Sequence, residues 1–251
     1  MLNPRLERLT EFPFRRLANL LADVEPGGIV RDLALGEPQH APPALLAETV
    51  AADAHLWNRY PPTNGSADYR LAICEWLSRR YGLPVRALDP DQHVLPLAGT
   101  KEGLFGIMSA IVTAGDDGRQ PYVLMPSPLY ATVYGAAVMS GAEPICLPAT
   151  RATGFLPDLD ALSEAALERS AVFYLCSPAN PQGAVANDAY LSKLVRLARK
   201  HDFVLLVDEC YSEIYDDTPP AGAIEAAWQL EGCFDNLLIF NSLSKRSNAA
   251  G

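Results

Sequence analysis

Phe203-Val204-Leu205-Leu206-Val207-Asp208-Glu209-Cys210-Tyr211 is an apolar run that stops abruptly at an acid. An unbroken run of this length reads as a strand buried on both faces, as in a parallel sheet covered by helices. Asp208 then lies at the carboxyl end of that strand, where open α/β sheets bind ligands. A carboxylate alone in such a place is costly to bury. A cationic partner would stabilise it, and a protonated ring nitrogen is one such partner. A helix cap or a metal-type aspartate accounts for Asp208 equally well on its own. Tyr211 can turn its hydroxyl back toward the same place.

Working outward, similar runs occur at 94–98, 122–125, 143–147, 172–176 and 237–240. Between them, 67–81, 102–113, 130–140, 159–168, 188–201 and 224–230 carry the apolar spacing of helices with one buried face, and Asp158 and Asn187 read as N-caps. The alternation predicts an α/β fold with a mostly parallel central sheet and helices on both faces. Residues 1–65 read differently. Their proline-rich turns at Glu37-Pro38, Ala41-Pro42-Pro43 and Tyr60-Pro61-Pro62 suggest an arm and a connecting segment.

Composition narrows the class. The chain has 251 residues, 49% hydrophobic and 20% charged, which is ordinary for a globular protein. Its 20 Lys and Arg against 30 Asp and Glu give a net charge of −10, which disfavours nucleic acid and offers no polybasic membrane patch. No apolar run reaches the ~18 residues of a membrane span, and the opening Met1-Leu2-Asn3-Pro4-Arg5 does not resemble a signal peptide. The five cysteines are scattered without a C-x-x-C pair, as buried thiols in a reducing compartment would be. A cytoplasmic location is expected. The four histidines lack metal-ligand spacing, so no metal site is expected, and neither G-x-G-x-x-G after the first strand nor G-x-S-x-G is present.

Other candidates fall at expected strand ends. Ser242-Leu243-Ser244-Lys245 follows the run 237–240, and Lys245 is read as ending that strand; an amine there suits a Schiff base with an aldehyde cofactor. Gly99-Thr100-Lys101 joins a run to a helix, and the free N–H groups of such a turn suit a phosphate, although most turns of this kind are only connections. Ser242 could add a hydroxyl to that phosphate. Asn180, in Ser177-Pro178-Ala179-Asn180-Pro181-Gln182-Gly183, is a turn signal by itself, but at a strand end its amide could bond a ring oxygen. Tyr130 could stack on a planar ring or simply pack in the core. Tyr60 could serve a site or a subunit interface.

Taken in order, Gly99-Thr100-Lys101, Tyr130, Asn180 in Asn-Pro-Gln-Gly, Asp208 with Tyr211, and Ser242-Leu243-Ser244-Lys245 resemble the fold-type I, class I/II aminotransferases, which use pyridoxal 5′-phosphate. Within that family, the phrases Leu35-Gly36-Glu37-Pro38, Arg59-Tyr60-Pro61, Phe155-Leu156-Pro157-Asp158-Leu159 and Asp208-Glu209-Cys210-Tyr211-Ser212 are most similar to the succinyldiaminopimelate aminotransferase group of lysine biosynthesis. The resemblance implies that Lys245 is the Schiff-base lysine and general acid/base, and that Asp208 is the pyridinium partner. Asn180 and Tyr211 become ring-oxygen ligands and Tyr130 the stacking aromatic. Gly99, Thr100, Lys101 and Ser242 form the phosphate site, with Tyr60 reaching the phosphate of a neighbouring subunit in a homodimer, and Gly36 approaches the substrate carboxylate. The implied reaction is transamination of N-succinyl-LL-2,6-diaminopimelate with 2-oxoglutarate and glutamate. Alternatives are an aromatic, alanine or aspartate-type amino acid, or an inactive remnant that serves as a dimerising module. By the same resemblance, residues 1–45 are an arm and part of a small domain, and 46–251 are the large cofactor-binding domain. The family pattern continues past Gly251 with two arginines and a small C-terminal domain, so the chain is expected to be a C-terminally truncated form or fragment.

Overall fold

A computed structural model describes residues 2–9, 11–31, 33–113 and 118–250. Five strands form one sheet: β1 (Tyr122–Ser127), β2 (Glu143–Pro148), β3 (Ser170–Cys176), β4 (Val204–Asp208) and β5 (Leu237–Phe240). All neighbours are parallel, in the order β2-β1-β3-β4-β5. The helices are α1 (Pro13–Leu21), α2 (Ala44–Ala52), α3 (Ala67–Tyr81), α4 (Pro90–His93), α5 (Thr100–Ile111), α6 (Ala131–Ser140), α7 (Glu164–Glu168), α8 (Asp188–His201), α9 (Ala223–Glu231) and α10 (Leu243–Arg246).

Strand alternation divides the core between two faces. Val172, Tyr174, Cys176 and Leu206 face α5 and α6 through Leu104, Met108, Val133 and Ala137. Phe173, Leu175, Leu205 and Val207 face α8 and α9 through Leu191, Leu194, Ala223 and Ala227. With both faces covered, the strands have no polar alternation, which is why they read as continuous apolar runs. A third cluster, Cys74, Leu77, Tyr81 and Leu83 with Ile224, packs α3 against α9.

The strand order has a functional consequence. Between β1 and β3 the order reverses: β1 leads into α6 on one face, whereas β3 leads into α8 on the other. The two loops therefore diverge and leave a crevice beyond the carboxyl ends of the strands, the usual ligand position in open α/β sheets.

Three sequence expectations need correction. Residues 94–98 are not a strand; Pro96 lacks the N–H a ladder needs, and the run instead passes beside Gly65, whose backbone lies against the Pro96 ring. The expected helix 159–168 is a short 3-10 turn, Leu159–Ala161, capped by Asp158, followed by α7, which starts afresh at the Ser163 N-cap. Lys245 does not end a strand: β5 stops at Phe240, and Ser242 accepts from the Ser244 N–H to begin α10, on which Lys245 sits. The N-cap expected at Asn187 is present, its side chain accepting from the Tyr190 N–H.

Among the described residues, Arg70 is the first in sequence to be buried. The segment before it exposes Phe12, Leu20, Ile29, Val30, Leu33 and Trp57. It touches the sheet domain at Pro4–Arg8, where Arg5 Nη1 donates to the Met139 carbonyl at 2.8 Å.

Candidate active site

Asp208 forms the floor of the crevice. Cys176 pairs with it across β3–β4 and Phe240 across β4–β5, so the ends of three adjacent strands are level there. Its Oδ2 accepts from the Tyr174 hydroxyl at 3.2 Å and its Oδ1 from the Cys210 N–H at 3.1 Å. Burial pushes the carboxyl pKa up, and these neutral donors pull it back only in part. A cation beside it would offset the desolvation.

The next carboxylate points elsewhere. Glu209 is buried; its Oε2 accepts from Tyr81 Oη at 2.8 Å and its Oε1 from the Ala223 N–H at 2.8 Å, the first residue of α9. Burial raises its pKa to about 7 against the pull of these bonds and of Arg80. Arg80 Nε in turn pairs with Glu213 Oε1 at 2.7 Å. This network ties the chain after Asp208 to α3 and α9.

The loops after β1 and β3 flank the floor. Asn180 Nδ2 donates to Tyr211 Oη at 3.2 Å. Burial beside Cys176 and Asp208 pushes the Tyr211 phenol up to about 12, so it stays a protonated donor at neutral pH. Tyr130, at the N-cap of α6, lies close enough to act on the same phenol. Gln182 Nε2 donates to the Pro128 carbonyl at 3.0 Å and joins the two loops. Gly183, at φ +73, closes the turn in a conformation that other residues rarely adopt.

On the α5 side, Gly99 is the N-cap and no side chain caps the helix, so its first N–H groups can meet an anion. Cys210 Sγ donates to Thr100 Oγ1 at 3.7 Å, which leaves the threonine hydrogen free to donate elsewhere. Lys245 Nζ donates to the Gly36 carbonyl at 2.6 Å, bringing the two candidates together across 209 positions.

Thus contacts or level strand ends connect Asp208, Thr100, Asn180, Tyr211 and Tyr130, and Lys245 joins Gly36 beyond the neighbouring strand. Ser242 spends its hydroxyl on Ser244, donating to Oγ at 2.8 Å and accepting from its N–H. The Lys101 side chain is exposed, and Tyr60 is fully exposed. Sequence reasoning missed Tyr174, although a tyrosine in an apolar strand needs a hydrogen-bond partner, and strand alternation puts it on the Asp208 face. It also passed over the contacts of Cys210, Gln182 and Arg70.

The family model for class I and II aminotransferases matches residues 29–251. The chain belongs to that family. It is 32% identical over 251 residues to an LL-diaminopimelate aminotransferase of Desulforudis audaxviator, covering 98% of this chain and 61% of that one. An aminotransferase structure from Neisseria meningitidis superposes with a TM-score of 0.92 at 34% identity, covering 100% of this chain and 63% of that chain. The N-succinyldiaminopimelate aminotransferase structure from Mycobacterium tuberculosis gives 0.82 at 25% identity, with 100% and 62% covered. The chain spans about three fifths of the length of these relatives.

Class I and II aminotransferases depend on pyridoxal 5′-phosphate. The donor set here suits that group. A buried carboxylate held by neutral donors matches a ring cation, a protonated phenol matches a ring oxygen, and an uncapped helix start matches a phosphate.

Proposed function

We propose that the crevice carries out pyridoxal-phosphate-dependent transamination of a diaminopimelate-type amino acid, N-succinyl-LL-2,6-diaminopimelate, with 2-oxoglutarate as acceptor. The observation that carries the reaction class is Asp208: a buried carboxylate at a strand end, its pKa raised by burial, with no cation in its contacts among the described residues. The bound group supplies an aldehyde carbon for amine exchange and a cationic ring that accepts an electron pair from the substrate Cα.

The chain's own residues do the rest. Lys245 would anchor the group through its amine and, once released by the amino donor, would carry the proton between the substrate Cα and the group's former aldehyde carbon. Asp208 keeps the ring nitrogen protonated, and Tyr174 and the Cys210 N–H hold that carboxylate in place. Tyr211 donates to the ring oxygen while its own oxygen accepts from Asn180. Tyr130 covers the ring. The Gly99–Lys101 turn and the Thr100 hydroxyl take the phosphate, Ser242 joins them by turning its hydroxyl away from Ser244, and the Gly36 backbone approaches the substrate carboxylate. Tyr60, fully exposed in this chain, serves the phosphate of a second copy in a homodimer. In this reading 1–45 form an arm with part of a small domain, and 46–251 form the large domain.

The name of the Desulforudis relative favours a second substrate, LL-diaminopimelate without the succinyl group. A donor panel separates the two. With 2-oxoglutarate as acceptor, glutamate is expected to form faster from N-succinyl-LL-diaminopimelate than from free LL-diaminopimelate. The reverse order supports the second reading, and faster turnover of alanine, aspartate or an aromatic amino acid contradicts both.

A further inference from the structure

Arg70 uses its whole guanidinium inside the chain. Nε donates to the Pro90 carbonyl at 3.0 Å, Nη1 to the carbonyls of Asn64, at 3.1 Å, and Gly65, and Nη2 to Asp91 Oδ1. The arginine side chain is 6% exposed, whereas its one acidic partner, Asp91, is 74% exposed. Keeping a cation buried against three carbonyls and a solvated acid is costly unless the geometry it imposes is needed.

That geometry joins two segments of the proposed phosphate site. Asn64 and Gly65 continue the loop that presents Tyr60. Pro90 and Asp91 belong to α4, from which the chain runs through 94–98 directly into Gly99-Thr100-Lys101. The two segments also touch where Gly65, at φ +76, lies so close to the Pro96 ring that a Cβ would fall 2.5 Å from Pro96 Cγ. Arg70 sits beneath both, on the first turn of α3, whose Ser66 N-cap accepts from the Tyr69 N–H.

From this we infer that Arg70 is a positioning residue for phosphate: it fixes the turn that binds the group's phosphate in its own subunit and the tyrosine offered to the phosphate in the other. The inference rests on the proposed pyridoxal-phosphate reading. It assigns Arg70 no contact with the group. A guanidinium is needed because its planar fork holds carbonyls in three directions, and a lysine ammonium cannot hold all of them in that geometry.

The test compares pyridoxal 5′-phosphate with pyridoxal, which has the same aldehyde and ring but no phosphate. Affinities are measured by quenching of intrinsic fluorescence in the purified wild-type protein and in Arg70→Gln, Arg70→Lys and Gly65→Ala, with circular dichroism as the folding check. Pyridoxal-phosphate affinity is expected to fall on the order of tenfold or more, the scale of one displaced charge-assisted contact. Pyridoxal affinity is expected to stay within about twofold in the same variants. Gly65→Ala leaves the guanidinium intact and forces the two segments apart, so it carries the test if the arginine variants fail to fold. Equal losses for both ligands, or no loss for either, overturn the inference. Failure of the wild-type protein to bind pyridoxal phosphate at all overturns the functional reading instead.

Discussion

Asp208 and Glu209 are consecutive buried acids with opposite tasks, and two substitutions separate them. Among the described residues Asp208 has no cation in its contacts, so Asp208→Asn removes a charge that burial disfavours while keeping the shape. Thermal stability is expected to hold or rise, while kcat falls on the order of 100-fold or more because developing charge on the ring is no longer stabilised. A variant with wild-type kcat would contradict the role. Glu209 holds its proton to about pH 7 in the folded chain, against 4.5 for the free group. Between those values the native state binds more protons than the unfolded chain, so this group's contribution to stability falls as pH rises through the window. The full effect is on the order of 3 kcal/mol. Denaturant titrations from pH 4.5 to 7.5 should therefore show a decline that Glu209→Gln flattens. Parallel curves for the two proteins would contradict it.

At the scale of elements, the junction of α3, α9 and the end of β4 is packed without slack. A Cβ on Gly222 would lie 2.2 to 2.7 Å from Tyr81 ring atoms, and that ring carries the hydroxyl bonded to Glu209. Gly222→Ala should cost roughly 1–3 kcal/mol by overpacking, read as a lower denaturation midpoint; an unchanged midpoint would contradict the packing. The same scale explains what could be read in advance. Strands 122–125, 172–176 and 203–207 were legible because burial on both faces leaves an unbroken apolar signature. Residues 94–98 carry that signature too, but the run pairs with no strand among the described residues and passes instead beside Gly65, with Pro96 lacking an N–H to donate. The helix break at Ser163 and the start of α10 at Ser242 are decided by single hydroxyls capping N–H groups, a signal weaker than apolar periodicity. In the candidate site, the placing of Asp208, Asn180 and Tyr211 at or after strand ends was legible. Arg70 was not, because three of its four partners are backbone carbonyls, which carry no sequence signal.

For the whole molecule, the segment before Arg70 leaves Phe12, Ile29, Leu33 and Trp57 exposed, apolar side chains that a second copy could cover. With Tyr60 fully exposed, a second copy is the expected cover. Sedimentation should give twice the 27.2 kDa chain mass, and a monomer at micromolar concentration would contradict the shared site. The reaction class itself depends on one amine. The most direct measurement is borohydride reduction of the protein mixed with pyridoxal 5′-phosphate, followed by peptide mass mapping. The expected result is one reduced pyridoxyl group on the peptide that carries Lys245, lost in Lys245→Ala. Equal labelling of exposed lysines such as Lys101 and Lys200, with none preferred at Lys245, would contradict it.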